Sequence, residues 1–217
     1  MSQPRARKPE EKTERRAVIL AAAQELSRKT SFADFKMSKL AERAGLGKGT
    51  LYLYFEAKEH IFLELLEASL YPWMETLAKS AGALTDGSGK KLARMFRKAF
   101  EDEPVVDRLL PMLEGVIEHG IDKKAVLAFK QRFLEHAAPL AAAIEQALPE
   151  APRGCGMGVL TQIRAFHTGL RQMADPAPAV AEVLKDHPEL RPLHADFGPA
   201  LESALARLFR GLKREGK

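Results

Sequence analysis

The sequence predicts an all-α fold in which a small N-terminal helical domain precedes a larger helical domain. Apolar residues recur at spacings of three and four through most of the chain. The breaks in this pattern fall at Pro, Gly or Asp clusters, and alternating β-branched runs are scarce. A chain of 217 residues with 46% apolar content is long enough to bury one substantial core and a small second domain.

The first 12 residues are polar and basic, and we expect them to form a disordered arm. Arg5, Arg7 and Lys8 lie here without any apolar run, so the segment is neither a signal peptide nor a membrane anchor. The arm is either an unstructured solubilising tail or a segment that reaches a nucleic-acid groove. The first helix is expected to begin after Thr13, whose hydroxyl suits the N-cap position.

The segment from residue 37 to residue 58 has the pattern of two short amphipathic helices joined by a tight turn. Leu40 and Ala44 lie four residues apart and form the apolar edge of the first helix. Gly45 follows at once, and glycine is the residue that most readily adopts the left-handed conformation that ends a helix. The segment therefore predicts a helix-turn-helix within an N-terminal domain of residues 13–58.

The second of these helices, which begins near Lys48, is predicted to have one buried and one exposed face. Leu51 and Phe55 are four residues apart and turn the same face towards the core. The residues on the opposite side or at its flank are Lys48, Thr50, Tyr52 and Tyr54. Hydroxyl and ammonium donors of this kind suit phosphates and base edges, so we expect this face to contact double-stranded DNA.

The distribution of charge supports the same expectation. Residues 1–60 contain 13 Lys and Arg against 8 Asp and Glu, whereas residues 61–217 contain 21 of each class. The whole net charge of +5 therefore lies in the first 60 residues. Basic residues that meet a duplex release condensed counterions, although a charged helix surface exposed to water would have a similar composition.

Residues 13–65 resemble the tetracycline-repressor (TetR) family of bacterial transcriptional regulators. The matching residues are Ile19, Ala22, Ala23, Leu26, Phe32, Leu40-Ala41, Ala44-Gly45, the run from Gly49 to Phe55, and Lys58. The resemblance implies a homodimer that binds a palindromic DNA operator, most often as a repressor, and that is released by a small-molecule effector. A dimer places two recognition helices in successive major grooves.

The resemblance also implies which residues contact DNA. At three positions of the family pattern, this chain has a different residue. The implied contact residues are Lys36, Gly47, Lys48, Gly49, Thr50, Tyr52, Tyr54 and Lys58. Ser31 stands where a Gly is usual, Lys36 replaces a Thr and Gly47 replaces a Ser, so two hydroxyl contacts to the DNA backbone are missing. Tyr54→Phe and Lys58→Ala are expected to weaken binding to every DNA sequence.

Residues 59–217 are predicted to form the larger domain, which is helical nearly throughout. A helix from Glu59 past Pro72 is expected to connect the two domains. Further helices are expected at about 104–118, 122–147, 157–174 and 196–213, with a loop region from Asp175 to Pro192.

The last helix has a wide apolar face that must be buried. In TetR-like proteins the last two helices of each subunit form a four-helix bundle with those of the partner, so the resemblance implies a homodimer interface. The residues expected there are Leu160, Leu170, Leu201, Leu205, Leu208 and Phe209. The alternative is that this face packs only within its own chain.

The larger domain is rich in aromatic residues and Met, which suit a cavity for an apolar small molecule. The candidate pocket residues are Trp73, Phe96, Phe100, Met112, Phe129, Phe133, Phe166 and His167. Ordinary core packing is the alternative for each of them. Arg164, His167 and Arg171 share a helix face and would either meet an anionic ligand or belong to a polar network.

No pattern in the sequence favours catalysis, a metal site or a cofactor. The six His residues lack zinc-site spacing, and no nucleophile or dinucleotide motif is present. The single Cys155 and the lack of a long apolar stretch indicate a cytoplasmic protein without a membrane segment. The alternatives to an effector-controlled regulator are a constitutive DNA-binding protein and a helical carrier or enzyme for a hydrophobic metabolite.

Overall fold

A computed structural model describes residues 9–84 and 87–212, and these residues contain helices and no strand. The predicted all-α fold is therefore confirmed. The helices are α1 (Pro9–Ser27), α2 (Met37–Arg43), α3 (Lys48–Tyr52), α4 (Lys58–Gly82), α5 (Gly89–Asp102), α6 (Pro104–Leu109), α7 (Lys123–Ala147), α8 (Gly156–Ala174), α9 (Pro178–Asp186) and α10 (Phe197–Gly211). We call α1–α3 the head and α4–α10 the body; the predicted boundary between two domains at residues 58 and 59 stays a prediction.

Helix α1 begins earlier than the sequence indicated. It starts at Pro9, so residues 9–12 are helical and Thr13 lies inside the helix rather than at its N-cap. Glu10 and Glu11 lie near this end of the helix, where carboxylates favour the positive end of the helix dipole. The predicted arm residues Arg5, Arg7 and Lys8 lie outside the described residues.

Helix α4 connects the head to the body. Its first turns pack into the head, where the ring of Phe62 meets those of Phe32 and Phe35 at centroid distances of 4.8 and 4.9 Å. Its later turns lie along α7, while α10 packs against α5 and α8. The body therefore surrounds an apolar core to which α4, α5, α7, α8 and α10 all contribute.

Two segments of the body differ from their predicted structure. The helix expected at 104–118 ends as α6 at Leu109, and 3₁₀ and π turns follow as far as Gly120, because Pro111 cannot donate the α-helical hydrogen bond to Asp107. The loop expected from Asp175 to Pro192 instead contains α9 and a 3₁₀ turn, Pro188–Leu193. A proline breaks a helix only in its interior, and a proline in the first turn, such as Pro178 in α9, starts one.

The apolar face of α10 is buried by its own chain. Leu201 and Leu205 are fully buried and Phe209 is 4% exposed, against α5 and α8. These three residues therefore expose almost no surface, which favours the alternative that this face packs within its own chain. Their place in a dimer interface stays a prediction. Leu160, Leu170 and Leu208 are half-buried and remain accessible.

Helices α7 and α8 approach closely at Gly156. A Cβ atom at this position would lie 2.7 Å from the carbonyl carbon of Ala141, so only glycine fits. The carboxylate of Glu145 on α7 accepts the backbone N–H groups of Gly156 at 2.8 Å and Gly154 at 3.0 Å. These hydrogen bonds hold the pKa of Glu145 below its usual value.

We expect Gly156→Ala to lower the free energy of unfolding by about 1–3 kcal/mol, because the added methyl forces the two helices apart. Gly158 lies two residues along the same helix and has no atom within 4 Å of a built Cβ. Gly158→Ala should therefore leave stability unchanged or raise it by up to about 1 kcal/mol. Urea unfolding of both variants tests this, and equal losses would contradict the close approach.

Candidate nucleic-acid interface

The turn between α2 and α3 is formed by Gly45. Its φ of +65° takes the chain out of α2, and the following N–H of Leu46 returns to the carbonyl of Ala41 at 2.8 Å. The side chain of Leu46 is half-buried beneath the turn. The helix-turn-helix expected from the sequence therefore has the expected left-handed residue at its centre.

Helix α3 has one buried and one exposed face. Leu51 of the helix is 0% exposed, and Phe55, three residues after its end, is 1% exposed. Lys48 and Tyr52 are exposed, Tyr52 by 42%, and their contact with DNA stays a prediction. Of the remaining candidate contacts, Lys36, Gly47 and Gly49 are exposed, whereas Thr50, Tyr54 and Lys58 are half-buried.

The N-termini of α2 and α3, which lie beside this face, lack side-chain caps. Lys36 is the N-cap of α2 and Gly47 is the N-cap of α3, and neither supplies a side-chain hydrogen bond to its helix. These are two of the positions where the sequence departs from the TetR pattern. The loss of the usual hydroxyl groups therefore also removes a local helix cap, which Ser or Thr would supply.

Lys58 has a structural partner that its sequence position did not reveal. Its Nζ donates to the carbonyl oxygen of Phe32 at 2.7 Å and lies 4.1 Å from the centroid of the Phe32 ring. The ammonium group therefore joins the start of α4 to the segment after α1. A phosphate contact by Lys58 stays a prediction, and it would have to use the remaining donors of the same group.

We expect Lys58→Ala to destabilise the protein by about 1–2 kcal/mol, because a charge-assisted hydrogen bond and a cation–π contact are lost. Lys36→Ala is the matched control, since Lys36 is an exposed lysine of the same candidate face. It should leave the melting temperature nearly unchanged. Thermal unfolding of both variants without DNA measures the difference, and an unchanged melting temperature for Lys58→Ala would refute the structural role.

Arg16 holds the helices of the head in place, a role that sequence reasoning missed. Its guanidinium pairs with Glu64 of α4, donates from Nη1 to the carbonyl of Tyr54 at 2.9 Å and lies 4.1 Å above the ring of Phe55. One side chain of α1 thus fixes the end of the α3 segment against α4. No local pattern signals this, because the partners lie 38 and 48 residues away.

Behind the head, the body contains a small apolar pocket between α4, α5, α7 and α8. Its volume is about 60 Å³. The lining residues are Trp73, Met74, Phe96, Phe100, Leu110, Phe133, Leu140, Met157, Leu160, Thr161, Ile163 and Arg164. Four of the eight predicted pocket residues, Trp73, Phe96, Phe100 and Phe133, are among them.

The other four predicted pocket residues do not line this pocket. Phe129 is fully buried in the core, and Met112 is half-buried on the 3₁₀ turn after α6. Phe166 is 39% exposed because it lies on an outer face of α8. His167 lies behind the pocket wall, where its ring stacks on Phe100 at a centroid distance of 3.9 Å.

The three polar residues predicted on one face of α8 all bind carboxylates of the same chain. His167 Nε2 lies 2.9 Å from Asp107 Oδ1, and Arg171 pairs with the other oxygen of Asp107. Arg164 pairs with Glu114 at 2.5 Å. The structure therefore places them in an intrachain polar network, and Arg164 also reaches the pocket.

A second polar cluster lies where the head meets the body. Nε2 of His60 in α4 is 3.4 Å from Oδ2 of Asp122, and Glu56 completes a group whose nearest nitrogen and oxygen atoms lie within 4.8 Å. Asp122 also caps α7 by accepting the N–H groups of Lys124 and Ala125 at 2.8 and 3.0 Å. The Ala125 hydrogen bond and His60 lower the pKa of Asp122, so the cluster is explained by helix capping and a hydrogen bond between Asp122 and His60.

Comparison with known families decides the identity of the fold. Residues 19–65 match the family described as "Bacterial regulatory proteins, tetR family". Residues 67–216 match "Tetracyclin repressor-like, C-terminal domain", which alone covers more than half of the chain. This chain is a member of the TetR family. The resemblance found in the sequence of the head is thus confirmed and extends through the body.

Individual relatives match this TetR-family chain over shorter segments. The HTH-type transcriptional regulator EthR of Mycolicibacterium smegmatis is 41% identical over 54 residues, which is 25% of each chain. The fatty acid metabolism regulator protein of Bacillus subtilis is 30% identical over 82 residues, 38% of this chain and 42% of the relative. The chain thus spans less than half the length of these curated relatives.

A solved structure shows the same fold over nearly the whole chain. NalD, the secondary repressor of the MexAB-OprM multidrug efflux pump in Pseudomonas aeruginosa, superposes with a TM-score of 0.50 at 23% sequence identity. The alignment covers 95% of this TetR-family chain and 100% of NalD. No helix among residues 9–84 and 87–212 is long and apolar enough to span a membrane.

Proposed function

We propose that this TetR-family regulator binds double-stranded DNA as a homodimer through the exposed face of α3 and releases it when a small molecule binds the body. The observation that carries this proposal is the orientation of α3. Leu51 of α3 and Phe55, which follows the helix, are buried in the core, while Lys48 and Tyr52 are exposed to solvent. A helix presented in this way can enter the major groove, with donors directed at phosphates and base edges.

The pocket of the body supports an effector of apolar character. Its lining is almost wholly aliphatic and aromatic, with Thr161 and Arg164 as its polar members. A volume of about 60 Å³ is well below the roughly 300–1,000 Å³ of typical ligand sites. The effector must therefore select a more open state of the body, and this differential affinity is what shifts the equilibrium between DNA-binding and released forms.

A chain of contacts leads from the pocket to the head through α6. Phe100 lines the pocket and stacks on His167, which binds Asp107 of α6. The next residue, Arg108, donates to the backbone carbonyl and to Oγ of Ser27 at the end of α1. Burial and the nearby Arg28 lower the pKa of Arg108. If an effector moves α6, these contacts would therefore shift both α8 and the head.

The dimer interface that we propose lies on the outer face of α8. Phe166 and Met173 are 39% and 59% exposed, and Leu170 is half-buried between them. Val180 and Val183 of α9 are also about half exposed nearby in the sequence. An apolar surface of this kind is stabilised when a second copy covers it, and two-fold pairing matches a palindromic operator.

Phe166→Asp combined with Met173→Asp is expected to raise the dimer dissociation constant by roughly tenfold or more, because four carboxylates would be buried in an apolar interface. Leu134→Asp on α7 is the matched control, since Leu134 is 57% exposed on a different helix. Sedimentation velocity over a concentration series measures both variants. Equal dissociation constants for the double variant and the control would place the interface elsewhere.

Titration of the protein with random and genomic duplex DNA distinguishes this function from the alternative functions. A regulator binds selected fragments far more tightly than random duplex, and the bound fragments should contain inverted repeats. A carrier or enzyme would bind neither class. The small pocket volume favours a second candidate, a constitutive DNA-binding protein, which would hold its DNA in the presence of every apolar compound tested.

A further inference from the structure

A groove on the outer surface of the body runs along α4 and α5. Its volume is about 500 Å³ and it opens to solvent. The α4 wall includes Ala68, Ser69 and Thr76, and the α5 wall includes Ala99. We call this surface the α4–α5 groove. Among the described residues, Trp73 alone lines both this groove and the internal pocket.

The indole of Trp73 stands between the two spaces. Inside the body its ring centroid lies 4.9 Å from that of Phe100, at an interplanar angle of 44°. Its Nε1 donates to the carbonyl oxygen of Ala99 at 3.0 Å. Ala99 belongs to the last turn of α5, where carbonyl groups lack α-helical partners. One hydrogen bond and one ring contact therefore hold the indole in this position.

The backbone of α4 is weakened beside this side chain. Pro72 lies inside α4 and has no N–H to donate to the carbonyl of Ala68, one turn earlier. Both residues line the α4–α5 groove. The missing hydrogen bond loosens the helix at the residue next to Trp73 and leaves a carbonyl acceptor at the groove wall. The site is thus suited to local movement.

We infer that the internal pocket and the α4–α5 groove form one binding site, closed by the indole of Trp73, for an uncharged small molecule with an apolar body and one polar end. The inference rests on the proposed effector function of the pocket. Together the two spaces reach the size of an ordinary ligand site, which the pocket alone does not.

The chemistry of the two spaces selects this class of ligand. The pocket side is lined by rings and aliphatic chains, which favour an apolar group. The groove side offers the Ala68 carbonyl and the hydroxyls of Ser69 and Thr76. Of its three charged residues, Lys98 and Asp102 pair with each other at 2.8 Å, and Glu103 adds a carboxylate acceptor. A hydroxyl or an uncharged N–H donor therefore fits there better than an anionic group.

N-phenyl-1-naphthylamine is a suitable probe because it is uncharged, has aromatic rings and one N–H donor, and emits strongly in apolar surroundings. Trp73 is the only tryptophan of the chain, so indole emission reports on this position directly. Binding to the full-length protein should raise the probe emission and quench Trp73. Stopped-flow mixing then gives the association rate. DNA is absent throughout, so the outcome is independent of operator binding.

Two variants distinguish entry through the groove from entry at the other accessible edge of the pocket. Ser69→Phe fills the groove and should slow association by roughly fivefold or more, whereas Thr161→Phe at the α8 edge should change it less than about twofold. Trp73→Phe removes the hydrogen bond to Ala99 and should speed association by about threefold or more. Circular dichroism establishes that each variant is folded.

Absence of probe binding to the wild-type protein would overturn the inference. Slower association in Thr161→Phe with an unchanged rate in Ser69→Phe would also overturn it, because the ligand would then enter beside α8. An unchanged rate in Trp73→Phe would show that the indole does not close the site. In each of these cases the binding of DNA by the head would remain a separate and intact proposal.

Discussion

Reversal of charge at Lys48 is expected to weaken binding to operator DNA at least about 100-fold at roughly 0.1 M salt. Lys48 is the first residue of α3 and is exposed beside Tyr52. In a homodimer, Lys48→Glu replaces two favourable phosphate contacts with two repulsions. Because a phosphate contact carries no sequence information, affinity for all duplexes should fall together.

The neutral variant Lys48→Gln gives the second part of this test. It should make the dependence of log affinity on log salt shallower by about two, one for each subunit, since fewer counterions are released. Lys79→Glu is the control for net charge, because Lys79 is exposed in the last turn of α4, far along the chain from the head. Fluorescence anisotropy measures all three. An identical salt slope for wild type and Lys48→Gln would remove Lys48 from the interface.

The exposed face of the head could be predicted because its pattern is local. Gly45, Leu51 and Phe55 lie within eleven residues of one another, and their spacing is enough to predict the turn and the two buried side chains. Tyr54 is half-buried rather than exposed, since α3 already ends at Tyr52. The anchoring of Lys58 could not be predicted, since its acceptor is a backbone carbonyl 26 residues away. The same limit hid Arg16, whose three contacts depend on how α1, α3 and α4 pack.

In the body, the periodicity of apolar residues predicts which helix face is buried but not which element covers it. The apolar face of α10 was evident from the sequence, but its partner was not. A face that must be buried can be covered by α5 and α8 of the same chain as well as by a second subunit. Leu201 and Phe209 show the first outcome. The exposed Phe166, which the sequence analysis placed in the pocket, and Met173 now carry the dimer proposal.

The polar residues of α8 illustrate a related limit. Arg164, His167 and Arg171 were correctly placed on one face, yet a face with three basic groups is equally suited to a ligand and to carboxylates of the protein. Asp107 lies 60 residues before His167 in a helix whose end was itself wrongly predicted. Only the tertiary structure, in which Asp107 of α6 reaches His167 and Arg171 of α8, reveals that the carboxylate is internal.

The second large effect is expected at this carboxylate. Asp107→Ala should lower the free energy of unfolding by about 3–5 kcal/mol, and hence the melting temperature by roughly 10 °C or more. Asp107 is 5% exposed and binds both the fully buried His167 and Arg171. Within the described residues, Nδ1 of His167 has no hydrogen-bond partner. Loss of Asp107 would therefore leave the whole imidazole unpaired in the core.

Glu114→Ala is the matched control, because Glu114 also pairs with an arginine of α8 but is 45% exposed. An exposed ion pair contributes little to stability, so this variant should lower the free energy of unfolding by less than about 1 kcal/mol. Asp107→Asn should fall between the two, since an amide oxygen can still accept from His167 Nε2. Chemical unfolding measures the free energy of unfolding of each of the three variants and so ranks their losses. Losses of similar size for Asp107→Ala and Glu114→Ala would mean that burial does not set the strength of this network, and that α6 is not fixed to α8 through Asp107.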